Sequence, residues 1–464
     1  MSISTALFTG ISGLNTLGNS MTVVGDNIAN VNTIGFKGSR ATFEDVLSQS
    51  ISTAAGTAQV GRGTTLSTVN ILFQQGSFES TSEPTDLAIG GKGFFIVQQP
   101  GTSSDYYTRA GQFRFDKDGR FVNPAGYVVQ GWQLDDNGDD VGAITDIVLD
   151  SFTSPPDATE EIRVITNLDS RATSSSADLS TAWDATVSPP ISQLSYNYQS
   201  SLQVYDDLGS SHDLTIYFDP GAAPNTWEYI VTCPPAEDFR AGFPGTAQQG
   251  LLLRGQVTFN ASSGAIQGMT YEQYDPAAAA WGAGSLSPDG YPEFTAQFSA
   301  AATPQLMRLN IGSRDVGGTW ENAALSTTQY ASGSTTVFQT QDGYATGFLQ
   351  DIAVDTDGVI TGHYSNGQIL ALYRVALANF NNPWGLSKEG GNLFRATRAS
   401  GDPTTGHPGT NGLGRIAPNS LEQSNVDLAT EFVKMITVER GFQANSKIIT
   451  TTDAMLAELI NLKR

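Results

Sequence analysis

One cysteine in 464 residues, Cys233, excludes an intramolecular disulfide and any multi-cysteine metal site. Positive charge is scarce as well: 24 Lys and Arg against 46 Asp and Glu leave a net charge of −22. With no cationic face to release phosphate counterions, nucleic acid is not expected as a partner. An anionic membrane surface is disfavoured for the same reason. No apolar run approaches the roughly 20 residues that span a bilayer, so membrane insertion is not expected. The first 36 residues hold one charged side chain, Asp26, and no Lys or Arg. A secretory signal needs a basic start and a continuous apolar stretch, and neither is there. That pattern fits a cytosolic chain, or one exported without cleavage.

Catalytic signatures are also lacking. HExxH, nucleophile-elbow and P-loop patterns are absent, and His212, His363 and His407 sit in unrelated contexts. The acidic turns Asp116-Lys117-Asp118-Gly119, Asp135-Asp136-Asn137-Gly138 and Asp355-Thr356-Asp357-Gly358 miss the ligand spacing of a calcium loop. Asp-Gly turns between alternating apolar residues are ordinary hairpin connections. Gly412-Leu413-Gly414-Arg415-Ile416-Ala417 imitates a dinucleotide fingerprint, but no strand precedes it and Pro418 stops the helix that should follow. The expectation is a protein with no cofactor, no metal and no catalytic centre.

What is present lies first at the two ends. Leu7, Leu14, Met21 and Ile28 repeat every seven residues, and Leu17, Val24 and Val31 form a second series. At the other end Leu421, Leu428, Met435, Phe442, Ile449 and Leu456 keep the same spacing, with Phe432 beside them. Such seams predict helices that pack on helices, of their own domain or of a neighbour. Gly10, Gly13, Gly18 and Gly25 interrupt the first seam. Each costs about 1 kcal/mol relative to Ala, so that helix is expected to be marginal alone.

Between the ends the pattern changes to short alternating runs. Gly93-Phe94-Phe95-Ile96-Val97 reads as a buried strand, and Gln112 to Val122 as a hairpin around the turn at Asp116. Similar signals return at Ile352 to Ile360 and Ile369 to Leu377, so the middle of the chain interrupts one sheet domain. The middle has its own strands, in which Leu202 and Val204, then Leu214, Ile216 and Phe218, then Trp227, Tyr229 and Val231 alternate. The expected fold is a mainly β multidomain protein whose helical N- and C-terminal ends pair as a coiled coil. The expected layout is 1–36 and 420–464 helical, 37–75 connecting, 76–150 and 338–419 an inner β domain, and 151–337 an outer β domain inserted into it.

The segment Gly25-Asp26-Asn27-Ile28-Ala29-Asn30-Val31-Asn32-Thr33-Ile34-Gly35-Phe36-Lys37 closely resembles the signature of bacterial flagellar rod and hook proteins. Ser420 to Leu428, containing Asn425 and Asp427, resembles the family's closing segment. So does Arg440-Gly441-Phe442-Gln443-Ala444-Asn445-Ser446. Arg109 to Phe113 and Gly126 to Trp132 fit the same family. Val204 to His212 and Tyr364-Ser365-Asn366-Gly367-Gln368 look like its hook branch, as does the long middle, since rod members are short. Glu439 departs from the pattern, where many relatives carry Gln, and is expected to pair with a nearby cation.

The resemblance implies a subunit exported through the flagellar type III apparatus to an extracellular place in the hook. There it would polymerise into a curved tube that encloses the export channel and acts as a universal joint. Implied partners are further copies of itself, the distal rod protein, the hook cap, the hook-filament junction proteins and the export apparatus. A distal rod protein, or a secreted adhesin or binding module, are the other readings of such a chain. Leu7, Leu14, Leu17, Met21, Val24, Ile28, Val31, Leu421, Leu428, Phe432, Met435, Phe442, Ile449 and Leu456 are the expected assembly residues. Asn27, Asn30, Asn32, Gly35, Phe36, Asn425, Asp427, Arg440, Gln443 and Asn445 carry the signature.

Overall fold

The computed structural model describes residues 3–461 except 54, 55, 136, 150, 176, 177 and 277. The chain divides into two compact units. The first comprises Met1–Phe152, Leu349–His363 and Ile369–Arg464; the second comprises Thr153–Phe348 and Tyr364–Gln368. The second is therefore an insertion, and it takes in residues 338–348, which the sequence pattern assigned to the inner domain.

In the first unit, Phe94–Gln98 pairs antiparallel with Asp105–Thr108 and with Val128–Leu134. Val128–Leu134 in turn pairs with Ile369–Val375, Gly131 opposite Val375. Strands more than 200 residues apart in sequence thus share one sheet. The run Phe94 to Val97 is continuously apolar because both of its faces are covered. Phe95 and Val97 join a core with Leu87, Phe121, Val129 and Ile360, while Phe94 and Ile96 join another with Tyr107, Phe380 and Phe394. The hairpin is formed as the pattern predicts, with Phe121 opposite Phe115.

The acidic turns are turns for a visible reason. The Asp116 carboxylate accepts the backbone N–H groups of Asp118 and Arg120, both at 2.9 Å. Asp355 accepts those of Asp357 and Val359 in the same way. Asp135 does so with Asn137 and Asp139, while Asp136 lies outside the described residues.

The second unit has two large sheets and a two-stranded one, Ser313–Val316 with Thr319–Asn322. One large sheet is an antiparallel meander of Tyr198–Tyr205, Ser211–Pro220, Thr226–Thr232 and Leu251–Phe259. The other centres on Glu161–Asp169, which pairs parallel with Gln305–Asn310 and antiparallel with Thr335–Gln341. Ile162 and Val164 of one sheet and Leu202, Leu214, Trp227 and Tyr229 of the other lie in a single hydrophobic cluster. The two sheets of the middle thus share a core, and a smaller cluster of Leu179, Trp183, Ile191, Ile230 and Leu251 lies beside it. Cys233 is buried in the shared core, and burial pushes its thiol up.

Candidate assembly interface

Two helices carry the seams, Ile3–Ala29 and Leu428–Asn461. Both hold polar side chains that bond back into their own turns. Thr9, Ser12 and Thr16 donate to carbonyls one turn earlier, at 2.8–3.0 Å. Asp427 caps the C-terminal helix by accepting the Thr430 N–H at 2.8 Å, which holds its carboxyl below the usual range. These residues suit helix ends and faces that leave the backbone satisfied.

The helices lie antiparallel against each other. A Cβ built on Gly10 would stand 3.1 Å from Ile449, and one on Gly13 only 2.7 Å from the Asn445 carboxamide oxygen. Gly441 faces Leu17 in the same way, at 3.2 Å, and further along the Asn27 side chain meets Glu431 at 3.2 Å. Glycine at positions 10, 13 and 441 thus marks where the two helices approach closely. Gly18 and Gly25 face open space and carry the simple propensity cost. Gly10 and Gly13 therefore have a packing role beside the propensity cost read from the sequence.

The seam residues differ in how far they are covered. Val24 is buried, while Leu7, Leu14, Leu17, Met21, Ile28, Met435, Ile449 and Leu456 are half-buried. Val31 lies half-buried in the turn after the first helix. Leu428 and Phe442 are exposed, as is Phe432 at 50%, in company with Phe8 at 67% and Val433 at 64%. Leu421 does not belong to the helical seam. It sits buried in the strand Ser420–Glu422, paired with Glu79, and the helix begins seven residues later. Its spacing matches the heptad by coincidence of number.

Four of the ten signature residues, Asn27, Gly35, Phe36 and Asn425, do another job: they form a clamp that ties the chain beside the helices to the β body. The Asn27 carboxamide pairs with the backbone of Ser39 in both directions, at 2.8 Å each. Asn425 accepts the Gly38 N–H at 2.8 Å and donates to the Leu72 carbonyl at 2.7 Å. Gly35 adopts φ +69°, and a Cβ there would stand 2.5 Å from the Ala110 backbone nitrogen. Its N–H donates to the Glu422 carbonyl at 2.7 Å. Phe36 is buried with the Lys388 ammonium 5.3 Å from its ring. Asn30 caps locally by donating to Asp26, and Asn445 donates to the Gly441 carbonyl. Asn32, Arg440 and Gln443 are exposed, and Gln443 donates to Glu439 at 3.2 Å. Glu439 thus takes a neutral amide where a cation was expected.

The centre of the clamp went unread in the sequence. The Glu422 carboxylate, fully buried, accepts from the Lys37 ammonium at 2.6 Å, from Arg109 at 3.3 Å and from the Gly76 N–H at 2.9 Å. Lys37 also donates to the Gln74 carbonyl, and Arg109 to those of Ile89 and Gly91. Burial pushes the Lys37 ammonium down, against the opposing pull of Glu422. The available signal was that Lys37, Arg109 and Glu422 each stand among uncharged immediate neighbours, a context that suits a buried ion pair.

The comparisons with known proteins agree along the whole chain. Residues 7–37 match the family described as Flagella basal body rod protein, and 88–167 the Flagellar hook protein FlgE/F/G D1 domain. Residues 167–344 match the Flagellar basal body protein FlaE D2 domain, and 417–462 the Flagellar basal body rod FlgEFG protein C-terminal family. A Flagellar hook protein FlgE from Borreliella burgdorferi is 36% identical, with 99% of both chains covered. Those of Treponema pallidum (34%, 99% of both chains) and Brucella suis (32%, 100% of both) are similar over their full lengths. With identity at that level from end to end, the chain belongs to the family of flagellar hook proteins.

Proposed function

We propose that this chain is the structural subunit of a flagellar hook, a tube formed by many copies in which the terminal helices make the inner contacts. The observation that carries the reading is the half-covered helical pair. One chain's two helices bury a narrow stripe and leave Phe8, Leu428, Phe432, Val433, Ile436 and Phe442 exposed. An apolar surface of that kind on a soluble chain marks an interaction site. The full-length similarity to proteins named for the hook supports this reading over a distal rod protein or a binding module. Export without a cleaved signal, the universal-joint role and docking to rod, cap, junction proteins and export apparatus extend it by family resemblance.

Electron microscopy of the purified, concentrated protein tests the reading. Curved tubes are expected, and straight tubes would favour a rod. Met21→Asp together with Met435→Asp should leave both β units folded and abolish tubes. Normal tubes from that variant would refute the role of the helices.

A further inference from the structure

The helical pair and the strand Ser39–Asp45 that leaves it enclose a groove of about 220 Å³. Val23, Val24, Ala41, Val433, Thr437 and Val438 line it, so its floor is apolar; Arg40 and Lys434 add positive charge to its walls and Glu431 one negative charge, which leaves the walls net positive. Lys434 pairs with Glu431 at 2.6 Å, while Arg40 makes no ion pair among the described residues. Further along the same ribbon Leu47 is 88% exposed, two residues after Asp45, which is exposed like Glu44 before it. Seven residues of extended chain at about 3.3 Å each put Leu47 on the order of 20 Å beyond Arg40. It cannot fold back into its own groove, because the ribbon between them is held in register by the strand Thr64–Ile71.

We propose that Leu47 of one copy seats in this groove of the next, with Glu44 and Asp45 facing Arg40 and Lys434. The occupant is a second copy of this chain, and charge selects it. Phe8 and Ile11 are exposed too, but the first 25 residues carry no charge to match a basic wall. Knob and socket are different patches on one chain, so the contact is heterologous. Repeated, it extends an array instead of closing a dimer. This deepens the polymerisation reading above and rests on it.

Full-length chain carrying Leu47→Cys and Thr437→Cys tests the contact after polymerisation and mild oxidation. The native Cys233 is buried and stays silent. A covalent ladder on a non-reducing denaturing gel is expected from the double variant, and monomer from each single variant. Polymers of the double variant that give no ladder overturn the contact and leave polymerisation standing. Parent protein that forms no polymer in the same buffer overturns the polymerisation reading, and the contact with it. As a second readout, Leu47→Asp should raise the minimum concentration for polymer about tenfold or more, with Leu47→Met near the parent. Polymerisation of Leu47→Asp at the parent's concentration also overturns the contact.

Discussion

Replacing Glu422 by Gln keeps the side chain's shape and removes the one negative charge in the clamp. Lys37 and Glu422 are both fully buried, and Arg109 is nearly so. Removing one partner of such a group leaves uncompensated buried charge, which costs about 3–5 kcal/mol. Arg109 retains two carbonyl acceptors while Lys37 retains one, so most of the loss comes from the stranded ammonium. The double variant Glu422→Gln, Lys37→Met should therefore be less destabilised than Glu422→Gln alone, although it carries one more change. The assay is urea unfolding followed by hydrogen exchange, which reports the two units separately, since one global transition is not assured for a chain of two units. The first unit's transition should shift and the second's should not. A Glu422→Gln protein within about 1 kcal/mol of the parent would refute the reasoning, as would a double variant no better than the single.

Gly35→Ala should cost roughly 3 kcal/mol in the first unit, combining a left-handed backbone with overlap onto the Ala110 backbone. Thermal unfolding of that unit measures it. Gly18→Ala meets nothing within 4 Å inside a helix, so it should raise helix stability by up to about 1 kcal/mol, read by circular dichroism. Asp427 is held below its usual carboxylate range by the Thr430 N–H, so its cap is complete above about pH 4 and is lost as pH falls through the depressed value. Asp427→Asn should keep the cap and remove that part of the acid sensitivity in a pH titration of helicity.

The strands were legible because a period of two survives wherever one face is buried, as at Leu202 and Val204 or Leu214, Ile216 and Phe218. Phe94 to Val97 was legible for the opposite reason, being covered on both faces. The seams were only partly so. A heptad identifies a helix that packs, but it cannot separate residues covered within one chain, such as Val24, from those left bare, such as Phe432. Nor can it tell a strand residue that happens to fall in register, such as Leu421. The clamp was hidden because Lys37, Arg109 and Glu422 come together only through the fold, and nothing local in the sequence pairs them. The packing role of Gly13 was hidden for a related reason: propensity counts its cost in an isolated helix, and its approach to Asn445 exists only in the fold.

In the proposed tube the terminal helices, half-covered in one chain, become fully covered between copies. Hydrogen exchange of residues 5–29 and 428–460 in monomer and in polymer measures this most directly. In the monomer these segments should exchange far faster than the strands of either β unit, and in the polymer they should be among the slowest. Equal exchange of the two helices in monomer and polymer, with the β units gaining the protection instead, would contradict it.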